Sequence, residues 1–312
     1  MKLIDMHCDT ILMMMNQKEK FNFVNNDLGV DLQKLKKSNS MAQFFAAFVN
    51  LKEDNDPLER ALDMIDRLYQ EIDKYKGEIK IAKNYCELMN NNNEGKISAF
   101  LTIEGGEALK GKISNLRNFY KLGVRLITLT WNYKNEIGYP GCELKFKNKG
   151  LTEFGKNLVH EMNNLGVIVD VSHLNDAGFY DVIECSSKPI VASHSNARSI
   201  TNHSRNLTDD MIKKLADNGG VMGINFCNAF LSKNRKASVE DMIRHIEHIR
   251  NVGGIDVIAI GTDFDGIDNP PEIEHMGEMN KLEKALYKNG FSEEEIEKIF
   301  YKNTLRIIKE NL

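Results

Sequence analysis

The chain has 312 residues, 42% of them apolar and 28% charged, with a formal net charge of −4 at pH 7. That length holds one large barrel or two ordinary domains, and the composition is ordinary for a soluble globular protein. The weak negative charge gives no reason to expect nucleic acid or an anionic membrane as partner.

No apolar stretch approaches the ~20 residues that a membrane helix needs. The first residues run at once into strand-like LIDMHCD, which leaves no room for a signal peptide. Five scattered cysteines (Cys8, Cys86, Cys142, Cys185, Cys227) contain no C-x-x-C pair and read as reduced thiols. The expected setting is cytoplasmic.

Taken in chain order, apolar runs predict eight strands at 3–8, 43–49, 97–103, 124–130, 167–172, 189–194, 220–226 and 256–262. Most are near-continuous runs of Val, Ile, Leu and Phe, as in parallel strands buried on both faces. Helical patterns lie between them. DPLERALDMIDRLYQEID opens with Asp56 as N-cap and Pro57 at the first helical position. LTEFGKNLVHEMNNLG starts at Thr152 and closes at Gly166. LTDDMIKKLADNGG and SVEDMIRHIEHIRNVGG repeat that form. This alternation predicts a (β/α)8 TIM-type barrel over residues 1–312, an α/β architecture, rather than a doubly wound sheet. Residues 17–40 and 76–96 read as connecting excursions, the second carrying the run Asn90–Asn93. Residues 132–150 predict a long polar loop on the catalytic face, either covering the site or simply solvated.

The downstream ends of parallel barrel strands converge on one face. His7, Asp9, Glu104, His173, His194 and Asp263 all stand at such ends. Three histidines and three carboxylates placed there suggest two divalent ions sharing one carboxylate. His7 and Asp9 share a strand face, with Cys8 on the other. Glu104 precedes Gly105 and Gly106, where a ligand can approach the backbone closely. Asp263 is placed to accept a proton from an attacking water. Asp265 competes for that role but falls in the turn beyond, and Asp5 reads as a supporting residue. His245 and His248 mimic a metal pair at i,i+3 but read as a solvated helix face, and His160 and His275 as surface residues.

DMHCDT, TIEGG, LGVIVDVSH, PIVASHSNAR and IGTDFDG, in this order and spacing, resemble the membrane (renal) dipeptidase family, peptidase family M19, among the amidohydrolase-like metal barrels. The resemblance implies that His7 and Asp9 bind one Zn²⁺, that His173 and His194 bind a second, and that Glu104 bridges them. It makes Asp263 the general acid/base and Arg205 the residue that grips the substrate's terminal carboxylate, for which a guanidinium fork is suited. The implied reaction is hydrolysis of dipeptides, those with a C-terminal D-residue left open, by a hydroxide held between the ions. An all-N/O donor set favours zinc and also admits Mn, Co or Ni.

The sequence departs from the animal members of that family in three respects. They carry a histidine just after the fourth predicted strand. Here ITLTWNYKNEIG puts Trp131 in that place with Asn132 beside it, and the N–H groups of both are candidate donors to a developing oxyanion. Phe230 stands where a substrate-side tyrosine is usual, and Trp131, Asn132 and Phe230 join Arg205 as the candidate substrate-binding residues. The animal enzymes are secreted, disulfide-linked and lipid-anchored, whereas this sequence resembles a bacterial cytoplasmic branch. A homodimer is expected from the family habit. Two other readings stand beside the dipeptidase: a hydrolase of another amide or peptide-like metabolite on the same scaffold, and a non-catalytic barrel, against which the complete residue set argues.

Overall fold

The computed structural model describes residues 1–17, 20–233 and 236–312. Its strands are β1 (Leu3–Cys8), β2 (Ser40–Phe48), β3 (Ile79–Ile81), β4 (Ile97–Glu104), β5 (Val124–Thr128), β6 (Ile168–Asp170), β7 (Val191–Ala192), β8 (Val221–Ile224) and β9 (Ile258–Ile260). Their pairings are all parallel, in the order β2-β1-β9-β8-β7-β6-β5-β4-β3. A β2–β4 ladder from Ala42↔Ser98 to Phe48↔Glu104 closes eight of them into the expected barrel. The ninth, β3, pairs only with the start of β4 and was not foreseen in 76–96. It is three residues long with Lys80 exposed, too short to show a period.

The excursions also contain helices. Leu32–Lys37 is capped by Asp31, and Tyr85–Asn93 absorbs the asparagine run behind an Asn84 cap. The four helices read from the sequence form as expected. Asp56 accepts from the N–H groups of Leu58 and Glu59 ahead of Pro57–Lys74. Thr152, Thr208 and Ser238 cap Glu153–Leu165, Asp209–Asp217 and Val239–Gly253 in the same way, each satisfying N–H groups that have no partner within the helix. Among the described residues, no helix is long and apolar enough to cross a membrane.

One apolar cluster draws a side chain from every barrel strand and is therefore the barrel interior: Ile4, Phe44, Phe100, Leu126, Ile168, Val191, Val221 and Ala259 among them. The Phe44 and Phe100 rings stack there with centroids 4.7 Å apart. A larger cluster, including Leu68, Leu101, Ile103 and Leu158, joins the outer strand faces to the helices. Alternation along β4 thus puts Glu104 on the same interior face as Phe100. Glycine permits one close approach here: a Cβ at Gly223 or Gly261 would meet the Ser193 carbonyl oxygen at 2.0 or 1.7 Å.

Several strands end earlier than their apolar runs. β6 stops at Asp170 rather than 172, and β7 spans only Val191–Ala192. Beyond that point the Asp170 carboxylate takes the backbone N–H groups of Ser172 and Ser193, both at 2.9 Å. Side-chain bonds replace the ladder at these two N–H groups, and the chain is free to turn its next residues toward the barrel mouth.

Candidate metal centre and substrate cavity

The six residues, from five strand ends, do come together. His7 Nε2 lies 3.3 Å from Asp9 Oδ2 and 3.4 Å from Glu104 Oε2. On the other oxygen of the same carboxylate, Glu104 Oε1 lies 2.9 Å from His173 Nε2 and 3.4 Å from His194 Nε2. The two ring nitrogens are themselves 3.1 Å apart. Three groups able to hold a cation form among the described residues, His7/Asp9/Glu104, Glu104/His173/His194 and His7/His194/Asp263, the first two sharing Glu104. His173 and Asp263 adopt left-handed backbone, φ 68° and 63°, a conformation that costs a non-glycine residue energy and is found where a site demands it.

The donor set fits divalent ions. Asp9 Oδ1 is buried without a hydrogen-bond partner, and a buried lone pair left bare is costly. Hydrogen bonds fix the tautomers of two rings. Ser193 Oγ gives its only proton to Asp170 Oδ2, so at 2.8 Å from His194 Nδ1 it must accept from that nitrogen. His173 Nδ1 lies 3.0 Å from Asn132 Oδ1, which can only accept. Both rings are thereby protonated on Nδ1 and present bare Nε2 lone pairs to Glu104, the arrangement a metal ligand requires. Without a cation those lone pairs face one another and a carboxylate.

Burial and then the Arg205 charge hold the His173 imidazole down at about 4, and burial with the His7 charge lowers His194 as well. Burial alone would also lower His7, but the charges of Glu104 and Asp9 outweigh it and raise it. Asp263 keeps 13% of its side chain exposed and sets Oδ1 3.7 Å from His7 Nε2. Burial drives its carboxyl up to about 7, with His7 pulling against the rise and Asp9 and Glu104 adding to it.

A cavity of about 590 Å³ opens on this centre, lined by Asp9, Glu104, His173 and Asp263 below and by Phe48, Trp131, Asn132 and Phe230 at the sides. That is the size of a small-ligand site. Trp131 packs edge-on against Phe48, centroids 4.8 Å apart. Arg205 lies behind the wall, its guanidinium 5.3 Å from the Phe230 ring. It is only 5% exposed and forms no carboxylate ion pair among the described residues. Its Nη2 donates to the His194 carbonyl at 3.3 Å, and its Nε has no partner.

Some expectations change. Asn132, weighed as an oxyanion donor, turns its carboxamide oxygen to His173 and so also supports that ring, while still lining the cavity. The 132–150 segment does not cover the cavity: it is a surface loop, solvated at Lys134, Leu144, Lys145 and Lys147–Lys149, and held in place where Gly141 N–H donates to the His173 carbonyl, Asn175 N–H to Tyr139, and Asn175 Nδ2 to Phe146 and Lys149. From 132 to 150 only Asn132 lines the cavity. His245 is not solvated; it is fully buried, accepting from Ala197 N–H at Nδ1 and donating to Leu231 O at Nε2. His248 does meet a carboxylate, Asp209 Oδ1 at 2.7 Å. His160 is exposed as read, whereas His275 is half-buried. Asp265 is occupied by Thr10 Oγ1 and Gly29 N–H, leaving Asp263 alone at the cluster. Asp5 supports from beneath, accepting from Gln43 and twice from Thr262.

Sequence reasoning missed Asp170, Ser193, Asn196 and Asn225, all fully buried. The available signal was a polar residue inside an apolar strand, as in VIVDV and GINF.

The family described as membrane dipeptidase (peptidase family M19) matches residues 1–311. An uncharacterized dipeptidase of Schizosaccharomyces pombe is 31% identical over 99% of this chain and 80% of its own length. Dipeptidase 3 of Mus musculus is 31% identical over 99% of this chain and 64% of its own. The crystal structure of a metallo peptidase from Rhodobacter sphaeroides, liganded with a phosphinate mimic of the dipeptide L-Ala-D-Ala, superposes with a TM-score of 0.91 at 26% identity, covering 100% of this chain and 99% of that one. A barrel closed by eight parallel strands, residue clusters suited to metal at its mouth and a family match along the whole chain lead to one conclusion: the chain belongs to the membrane dipeptidase family, peptidase family M19, and is a metallo-dipeptidase.

Proposed function

We propose that the protein hydrolyses dipeptides with two divalent ions, most simply zinc, held by His7 and Asp9 on one side, His173 and His194 on the other, and Glu104 between. Bound there, the ions supply Lewis acidity, bringing a water's pKa toward neutrality so that hydroxide is available at physiological pH.

The protein's own groups do the rest. Asp263, whose Oδ1 faces the cluster, takes the proton of the attacking water and returns it to the leaving amine nitrogen as the C–N bond breaks. Arg205 receives the terminal carboxylate. The substrate's amino group lies toward Glu104, so both ends are held and longer peptides are excluded.

The observation that carries this reading is the buried, carboxylate-free guanidinium of Arg205 beside a cavity floored by the metal-binding cluster. The charges of Asp263, Glu104 and Asp170 act on it from a distance, but a buried cation without a directly paired carboxylate is costly, and a ligand's carboxylate would supply that pair. The R. sphaeroides relative, crystallised with a dipeptide mimic, supports the substrate class.

The test is turnover of L-L and L-D dipeptides and one tripeptide by metal-loaded protein, with chelated protein as control. Metal-dependent cleavage of dipeptides alone is expected. Equal cleavage of the tripeptide refutes the two-ended grip. Two bound equivalents of metal without dipeptide turnover move the substrate to another amide.

A further inference from the structure

We infer that Asn225 is a positioning residue for proton transfer, fixing which oxygen of Asp263 carries the proton; this rests on Asp263 being the acid/base proposed above. Asn225 follows β8 directly and is fully buried. Its Oδ1 accepts the Cys227 backbone N–H at 2.6 Å. An N–H cannot accept, so the amide has one orientation. Its NH2 group must then face the other way, where it meets two acceptors: Asp263 Oδ2 at 2.9 Å and the His194 carbonyl at 3.3 Å. The backbone is fixed as well, because Asn225 N–H donates to Asn196 Oδ1 and Asn196 Nδ2 donates to the Asn225 carbonyl. The amide oxygen and the NH2 group both have partners, and the side chain is held from both ends.

Facing a fixed N–H donor, Oδ2 is the poorer seat for a proton. The proton falls to Oδ1, the oxygen 3.7 Å from His7 Nε2 that faces the cluster and the cavity. In the cleavage step the new C–O bond forms as the water's proton passes to Oδ1, and the same proton moves to nitrogen as C–N breaks. Without Asn225 the carboxyl is free to rotate or to take the proton on the far oxygen, out of reach of the leaving amine. The second bond, to the His194 carbonyl, ties this orientation to the strand end that bears the neighbouring imidazole.

Asn225→Asp is the pointed variant, since it keeps size and the Cys227 bond while turning the donor into an acceptor. Asn225→Ser serves as a second, uncharged one. In metal-loaded enzyme both should lower kcat by about 10- to 100-fold, with KM changed by less than about threefold, metal content unchanged and a larger solvent deuterium isotope effect on kcat. Asp263→Asn is assayed in parallel. Full activity in that variant overturns the assignment of Asp263 and this inference with it. A kcat within about threefold of the parent in both Asn225 variants, beside an inactive Asp263→Asn, overturns the inference alone. So does a loss of activity that only tracks lost metal.

Discussion

Replacing Arg205 with methionine should separate binding from folding, because the two respond in opposite directions. In the folded chain the guanidinium makes one long bond to a neutral carbonyl at 3.3 Å and a ring contact at 5.3 Å, worth together about 1–2 kcal/mol, and is drawn to the charges of Asp263, Glu104 and Asp170 without pairing directly with any of them. Against this stands the desolvation of a buried charge, several kcal/mol. Methionine matches the length without the charge, so stability should hold or rise by about 1 kcal/mol, a gain of roughly 1.5 °C in Tm for a chain of this size. Substrate binding should suffer. A charge-assisted bond to a carboxylate contributes about 1.5–3 kcal/mol, so kcat/KM for a dipeptide should fall by about 10- to 150-fold. The assay compares a free dipeptide with its C-terminal amide: the parent should favour the free acid strongly, and Arg205→Met should barely distinguish them. The reasoning fails if the variant retains the parent's preference, or if it melts several degrees lower with kcat/KM intact, which would make Arg205 a structural cation.

Other perturbations reach different parts of the molecule. Asp170→Asn removes a carboxylate that accepts from Thr128, Ser172 and Ser193 and should loosen the His194 tautomer, weakening zinc affinity by about 10- to 100-fold in a chelator competition. Glu107 is buried, and burial, with the Glu104 and Glu136 charges adding, raises its carboxyl to about 7 although Asn135 bonds it. The native state therefore holds a proton that the unfolded chain releases near 4.5, and its contribution to stability falls as pH rises between those values, by roughly 3 kcal/mol. Glu107→Gln should match the parent near pH 4 and exceed it at pH 8 in urea denaturation; parallel curves would refute this. His245→Ala strands the buried Ala197 N–H and should cost about 2–4 kcal/mol, while bound metal and kcat per folded molecule stay at parental values.

Much of the barrel could be read because its signals are local. Buried parallel strands are apolar runs, and helix caps such as Asp56–Pro57 are written in two residues. The six chemical side chains stood out for a related reason: each interrupts such a run at its downstream end. What escaped notice depends on contacts between strands. Asp170 and Asn225 look like isolated polar residues until the neighbouring strand supplies Ser193 or Asp263. His245 was misjudged because RHIEHIR looks polar. Yet Met242, Ile246 and Ile249 are buried on the same helix, and position 245 lies on their stripe. Asn132 was assigned by analogy with a missing histidine, and only geometry shows it turned toward His173. The family resemblance sharpened roles, but no resemblance carries a hydrogen-bond direction.

The sharing of Glu104 has a thermodynamic consequence. With Oε2 turned to His7 and Oε1 to His173 and His194, one negative charge serves both halves. On the two-ion reading, whatever occupies one half draws on the charge that the other half needs. Affinities for the two ions are then linked, and by reciprocity each must alter the other by the same factor. Substitutions at His7 and His173, on different strands, should be non-additive in a double-mutant cycle. The two halves of the centre are not modules that can be gained or lost separately.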